Sequence, residues 1–535
     1  MVGGLGTSRK DRCMAADPAS PFALDPDELR RLGYRAVDLM VEHLAGLRDG
    51  PVFQPMTPDE RLAMLEQPLP AGPTSPDAIL AQIEGQVLAH PMGNGHPRFF
   101  GWINSPPVPF AALADMLAAA LNPSCAGGDH AAIYLERCAI RWLMELLEFP
   151  TEGSMGLLVS GGSMASLTCL AAARSWAAKR DGWDVRQEGV AKAPAPLVMY
   201  LSEEGHSCLR KSAELLGLGA GSLRVVPTDG RLRIDVPALR AAIRRDRAAG
   251  LRPFCVAASA GTVNTGTVDP LDVLADICEE EDLWLHVDGA YGGVGVLDPS
   301  VADRYIGLER VDSLTLDPHK WLSVPVECGA ALVRDGALLR ETFSLVPPYL
   351  QTEEGKGFGG LPWYSEYGFQ QTRGFRALKL WSTLLLAGRD GIAQHVIRCN
   401  TLARRLGTMI DEAEDLELLA PVDLSVVCFR YLPPGLPGGA DTTDAPGERS
   451  ATTDDRRESV NAPAATDFPG ARLDALNKAI MEEVQAGGET FLTQTSLNGR
   501  FSLRACVVHY ATTEADLRVL LDAVRRVGSR LSAST

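Results

Sequence analysis

The stretch Val311-Asp312-Ser313-Leu314-Thr315-Leu316-Asp317-Pro318-His319-Lys320-Trp321 orders the rest of the chain around it. A short apolar strand, Ser313 to Leu316, stops at Asp317-Pro318 and hands over to His319 and Lys320. Proline fixes its own φ and biases the preceding residue away from helix, so the chain turns there and the lysine lands at a strand end. Two readings of such a lysine stand side by side. Its stem can lie along apolar surface with the ammonium in water. Alternatively, in apolar surroundings, it gives up its proton readily and forms a Schiff base with a carbonyl. The flanking sequence decides between them.

Outward from this stretch, Leu157 to Val333 alternates short apolar runs with helical patterns. Leu157–Val159, Leu197–Leu201, Leu223–Val226, Phe254–Ala258, Leu283–Val287, Ser313–Leu316 and Ala330–Val333 read as strands, and Ala165–Ala178, Pro237–Ala249 and Pro270–Glu280 as helices. Several of the runs are apolar throughout, as strands covered on both faces are. The class is therefore α/β, with helices on both sides of a sheet. Helices are also expected at Ala111–Leu121, Ala131–Leu147, Gly374–Ala387 and Ile392–Leu406, and further strands near Leu424–Tyr431 and Phe501–Val508. Residues 433–469 are rich in Gly, Pro, Ser, Thr and Asp and read as a disordered surface insertion. Toward the N-terminus, 1–20 reads as a disordered tail, and Asp25-Pro26-Asp27-Glu28 opens a helix whose stripe is Leu29, Leu32, Ala36, Met40 and Leu44. The expected organisation is a tail at 1–20, a helical and extended segment at 21–108, a large domain at 109–378, and a small C-terminal domain at 379–535.

The 535 residues are 46% hydrophobic and 22% charged, an ordinary globular composition. A net charge of −17 without a long basic run argues against nucleic acid and anionic membrane as partners. The apolar run Leu113–Leu121 is too short to span a bilayer, and Asp115 interrupts it. No apolar core follows Lys10 and Arg12, so no signal peptide is read. Eleven cysteines without a CxxC pair speak against a disulfide framework and a metal site, and for a reduced, cytoplasmic setting.

Three further features converge on Lys320. Asp288 closes the run Leu283–Val287, which puts a carboxylate at the carboxyl edge of the sheet, where open α/β folds bind ligands. In a dry crevice that charge needs a cation, either a nearby arginine or a protonated ring nitrogen. Val159-Ser160-Gly161-Gly162-Ser163 is a strand, a glycine turn and a helix start; free N–H groups and the helix dipole favour a phosphate there, although ordinary turn chemistry also explains the glycines. His206, just after the strand Leu197–Leu201, is placed to stack on a planar ring or move a proton, or else is structural. Together they describe a ligand that is cationic and planar at one end, phosphorylated at the other, and carries a carbonyl: pyridoxal 5′-phosphate.

His286-Val287-Asp288-Gly289-Ala290-Tyr291 and Asp317-Pro318-His319-Lys320-Trp321 then make the resemblance plain. From about Pro21 onward the chain resembles the group II pyridoxal-phosphate decarboxylases, the aromatic L-amino acid and glutamate decarboxylase family. The resemblance implies fold type I, aspartate aminotransferase-like, with a large, mostly parallel seven-stranded sheet domain, an N-terminal helical segment and a smaller α+β C-terminal domain. It implies a homodimer with sites at the subunit interface, the N-terminal helix packing on the other subunit. By similarity Lys320 is the Schiff-base lysine and Asp288 the partner of the ring nitrogen. Ala290 lies beneath the ring and His206 above it, Thr262 lies beside the ring hydroxyl, and Gly162 and Ser163 form the phosphate turn. His319 contacts phosphate or substrate.

Within Val346–Gly360 the resemblance implies a mobile catalytic loop, from which Tyr349 protonates the substrate carbon after carbon dioxide leaves. Because His206 and Tyr349 are both kept, simple decarboxylation of an L-amino acid to the amine is expected. Trp102, Ile103, Ser105 and Thr372 are the candidate substrate-pocket residues, and an aromatic L-amino acid is the first choice. Glutamate, aspartate or 2,4-diaminobutyrate is the alternative, with Arg98 or Arg373 as charge partner for an acidic one; an aminotransferase or carbon–sulfur lyase on the same fold is another. Asp317 departs from the animal aromatic decarboxylases, which carry asparagine there. A carboxylate beside phosphate would repel it, so Asp317 is expected to point elsewhere.

Overall fold

The computed structural model describes residues 22–345, 363–434 and 469–533. The expected loop at Val346–Gly360 with Tyr349, the tail at 1–20, and the expected insertion apart from its edges lie outside these residues. Contacts divide the chain into two compact units, up to His96 and from Pro97 onward.

In the first unit, helices Pro26–Gly46, Pro58–Leu65 and Pro76–Gln82 each begin at an oxygen-bearing cap followed by proline. Asp25 accepts the N–H groups of Asp27 and Glu28, so the predicted helix start is found. Of the predicted stripe only Leu32 is buried; Leu29, with Phe22, Tyr34 and Val41, is exposed.

The second unit holds two sheets. The larger has seven strands: β1 (Met155–Val159), β2 (Leu197–Ser202), β3 (Leu223–Val226), β4 (Arg252–Ser259), β5 (Trp284–Asp288), β6 (Ser313–Leu316) and β7 (Gly329–Val333). Their order is β1-β7-β6-β5-β4-β2-β3, and β7 is antiparallel to both neighbours while the remaining pairs are parallel. Every residue of β2, β5, β6 and β7 is buried, the physical reason β2 and β7 read as nearly unbroken apolar runs, while β5 and β6 also bury His286 and Ser313, whose side chains lie 2.9 Å apart. Helix Gly162–Arg180 lies on this sheet through a face of small residues, among them Ala165, Ala172, Ala173 and Ala177. The mostly parallel seven-stranded α/β sheet expected from the sequence is thus present.

The smaller sheet is antiparallel, β8 (Leu416–Leu418), β9 (Val426–Tyr431), β10 (Thr493–Leu497) and β11 (Arg500–Cys506), in the order β10-β11-β9-β8. Phe429, Leu503 and Val427 pack there with Ile480 and Leu520 from the C-terminal helices. The two helices predicted at 374–406 form one run, Arg376–Asp411, broken by the non-helical backbone of Gly388 at φ 63°.

A buried ion pair fixes the edge of the large sheet. Arg373 and Glu136 are within 2% of full burial, and the arginine also donates to the carbonyls of Cys125 (2.8 Å) and Leu158 (2.6 Å) while Glu136 accepts the Leu158 N–H (2.9 Å). Removing one partner leaves a buried charge uncompensated. Arg373→Met is therefore expected to destabilise the fold by about 3–5 kcal/mol, and Arg373→Met with Glu136→Leu by clearly less. Urea unfolding midpoints check this; a double variant weaker than the single would refute it.

Candidate active site

The carboxyl ends of β5 and β6 lie side by side, with Asp288 paired to Thr315, and deliver Asp288 and, one turn beyond β6, Lys320 to one cavity of about 580 Å³. The turn is closed by the Lys320 N–H donating to the Asp317 carbonyl (2.8 Å), as Pro318 led us to expect. Trp321 is buried behind it and stacks on Tyr291, ring centroids 4.9 Å apart, so the lysine backbone is anchored from both sides.

Asp288 Oδ1 accepts the Ala290 N–H and the Thr315 hydroxyl, each at 3.1 Å. Both donors fix the carboxylate's orientation in a nearly dry setting, which suits it to face a cation. His206 caps helix Ser207–Leu215, its Nδ1 accepting the Cys208 N–H at 3.2 Å. The ring proton of the neutral imidazole is therefore on Nε2. Burial pushes the His206 pKa below the ordinary histidine value, which keeps the ring neutral near pH 7. His319 is built alike: its Nδ1 accepts the Cys328 N–H (3.1 Å), and burial lowers its pKa.

Helix Gly162–Arg180 starts at the cavity with Gly161 as its cap and no side chain satisfying its first N–H groups. A Cβ on Gly162 would come within 2.9 Å of Asp317 Oδ2 and 3.1 Å of the Ala290 methyl, so glycine is needed there for the turn to reach the cavity. Ser163 sits on the first turn and also lines the wall. Open helix-end donors, a strand-end carboxylate, a lysine and the small Ala290 in one cavity fit pyridoxal phosphate by size and by donor chemistry.

Lys320, Asp288, His206, Ala290, Gly162, Ser163, His319, Trp102 and Ile103 all line this cavity. Ser105 is buried and Thr372 exposed, and neither is among the lining residues. Thr262 is buried with its hydroxyl 3.0 Å from that of Thr265 and accepting the Thr267 N–H; its neighbours Gly261 and Val263 line the wall instead. Trp102 adopts a left-handed φ of 45°, unusual for a bulky residue, with its indole 5.7 Å from the Phe491 ring.

Three expectations are corrected. Arg373 is spent on Glu136 and cannot meet an acidic substrate, and Arg98 is not among the lining residues. Lys320 is not in apolar surroundings, because its Nζ lies 3.0 Å from Asp317 Oδ2. Asp317 does not point away from the phosphate turn; its carboxylate lies against Gly162 and lines the cavity.

Sequence reading missed Arg504, a buried arginine of β11 that lines the same cavity and donates to the carbonyls of Asn264 (3.1 Å) and Val263 (2.5 Å). The signal was a lone cation inside the apolar run Leu503-Arg504-Ala505-Cys506. It also missed Cys208, whose thiol burial pushes up to about 12. The ligating atoms of His206, Cys208 and Asp288 lie within 4.8 Å of one another, the one such cluster among the described residues.

Comparison with known proteins agrees with this geometry. Residues 58–432 match the pyridoxal-dependent decarboxylase conserved domain. The chain is 32% identical to an aromatic-L-amino-acid decarboxylase of Bacillus atrophaeus over 513 residues, 96% of this chain and 98% of that one. Among solved structures it is similar to Oryza sativa TDC with PLP and tryptamine, at a TM-score of 0.82 and 26% identity, covering 95% of this chain and 99% of that one. Mouse CSAD superposes with the same TM-score and identity, covering 95% and 100%.

Proposed function

The chain belongs to the pyridoxal-dependent decarboxylase family, and from that premise we propose that the amino acid it decarboxylates is an aromatic L-amino acid, released as the amine and carbon dioxide. The observation that carries the choice of side chain is the cavity wall. Trp102, Ile103 and Val263 offer apolar surface there, with Phe99 and Phe491 stacked behind, centroids 4.9 Å apart. The aromatic relative named above supports the same choice.

Bound pyridoxal phosphate supplies an electron sink for the pair released when the Cα–carboxylate bond breaks. The chain's own groups divide the remaining work. Lys320 is the amine that meets the cofactor carbonyl, and the Asp288 carboxylate balances positive charge on the ring nitrogen. The first N–H groups of helix Gly162–Arg180, with the Ser163 hydroxyl, hold phosphate. His206 offers a neutral ring and an Nε2 proton to the cavity. Tyr349, outside the described residues, is the general acid that returns a proton to the substrate carbon. Of the turn around Thr262, the neighbours Gly261 and Val263 line the cavity and are the residues that would stand beside a bound ring.

A homodimer belongs to the same proposal. Phe22, Leu29, Tyr34 and Val41 in the first unit are exposed, as are Phe110, Met116, Leu117 and Leu121 of helix Pro109–Leu121 in the second. Apolar surface on this scale is usually covered by a partner. Among the described residues, no helix is long and apolar enough to cross a membrane.

A second reading, an acidic substrate, is favoured by Arg504, the one arginine among the described lining residues. Carbon dioxide release from individual amino acids separates the two. Aromatic substrates are expected to exceed glutamate, aspartate and 2,4-diaminobutyrate by about tenfold or more in kcat/KM, a difference of roughly 1.4 kcal/mol. A faster acidic substrate would reverse the assignment. The product is expected to be amine without aldehyde, ammonia or peroxide, and stoichiometric aldehyde would overturn simple decarboxylation.

A further inference from the structure

Asp317 lines the cavity and has no part in the chemistry proposed for it. Its backbone is pinned at both sides, the N–H donating to the Ala290 carbonyl (3.0 Å) and the carbonyl accepting from Lys320, so the side chain has little choice of direction. The side chain is buried, at 3% exposure. Oδ2 lies 3.0 Å from Lys320 Nζ and 3.7 Å from His319 Nε2. The same oxygen lies 2.9 Å from the point where a Gly162 side chain would begin. Oδ1 is buried without a hydrogen-bond partner among the described residues. A buried carboxylate oxygen left without a donor is costly and rare. Here it stands beside a helix start whose first N–H groups are uncapped, the place where an anion is stabilised.

We propose that Asp317 is the resident anion of the phosphate turn: it balances Lys320 before phosphate enters, and afterwards repels it, holding cofactor affinity below what the turn alone would give. The inference rests on Gly161–Ser163 as the phosphate site. It concerns this chain's grip on phosphate and not the identity of the amino acid substrate. At contact distances of a few ångströms and the effective dielectric of a partly buried site, one negative charge beside another weakens binding by about tenfold or more.

The test compares cofactor-stripped full-length protein, as the native chain, Asp317→Asn and Ser163→Ala, binding pyridoxal 5′-phosphate and pyridoxal, with dissociation constants read from Schiff-base absorbance. Asp317→Asn is expected to tighten pyridoxal phosphate about tenfold relative to pyridoxal. Ser163→Ala is expected to move that ratio the other way. If Asp317→Asn leaves the ratio unchanged, or shifts it against the phosphate form, while Ser163→Ala lowers it, the repulsion is refuted and the phosphate turn stands. If neither variant moves the ratio, the phosphate turn is refuted and the proposal with it. Pyridoxal binding reports whether each variant is folded and its lysine reachable. Should Asp317→Asn bind neither compound, thermal stabilisation by inorganic phosphate decides: a larger rise in Tm than in the native chain supports the proposal, and an equal or smaller one overturns it.

Discussion

Lys320→Ala is expected to give a folded protein that shows no Schiff-base absorbance with pyridoxal phosphate and loses on the order of 10⁴-fold or more in kcat/KM. Among the described residues Lys320 is the one lysine lining the cavity, and its position is set by the closed Asp317–Lys320 turn and the Trp321 anchor. No other described lining residue carries an amine that could replace it. Truncation also strips Asp317 of its ion-pair partner, so a loss of about 1–3 kcal/mol in stability should accompany the loss of chemistry. Borohydride reduction of the native protein followed by peptide mass analysis should place the cofactor on Lys320. Cofactor found on another residue, or an absorbing band that survives in the variant, would disprove the assignment.

Much of this was legible in the sequence, for a physical reason. Strands buried on both faces are predominantly apolar, so Leu283–Val287 and Ser313–Leu316 declared themselves without knowledge of their neighbours, although each also buries a polar side chain. The polar residues that follow such runs, Asp288 directly and Lys320 one turn on, were conspicuous for the same reason. The weaker signals failed where local chemistry was ambiguous. β10, Thr493-Gln494-Thr495-Ser496-Leu497, is mostly polar because two of its five residues are buried, and no apolar run marked it. Helix Ser207–Leu215 was hidden because His206, just after β2, suggests ring stacking or proton transfer more readily than a helix cap.

Pairings across the chain were not legible at all. Arg373 finds Glu136, 237 residues away in sequence, and Arg504 reaches the carbonyls of Val263 and Asn264 from a strand of the other sheet. Nothing local distinguishes an arginine that will be neutralised in the core from one that will face a cavity. Asp317 is the sharpest instance: electrostatics against phosphate predicted that it would turn away, but the backbone bonds of its turn and the pull of Lys320 decide its direction. Local geometry fixed by proline and by an ion pair at 3.0 Å outweighs repulsion from a phosphate that arrives later.

Asp288→Asn is expected to separate holding the cofactor from using it. The substitution keeps the shape of the side chain, and an amide oxygen can still accept from the Ala290 N–H and the Thr315 hydroxyl, so β5 and β6 should keep their register. Lys320 is untouched, and Schiff-base absorbance should persist. What is lost is the negative charge that balances a cationic ring nitrogen, and that charge matters most when the ring accepts the electrons of the breaking Cα–carboxylate bond. An interaction needed chiefly in the transition state lowers kcat with KM little changed. In a nearly dry site its removal should cost about 3–4 kcal/mol, or roughly 10²–10³-fold in kcat. The contrast with Lys320→Ala is the informative part: one variant loses attachment and turnover together, the other turnover alone. A kcat within about threefold of the native value, less than 1 kcal/mol, would mean that the counter-charge comes from elsewhere in the cavity. Loss of attachment as well would mean that Asp288 supports the cavity wall and not the ring.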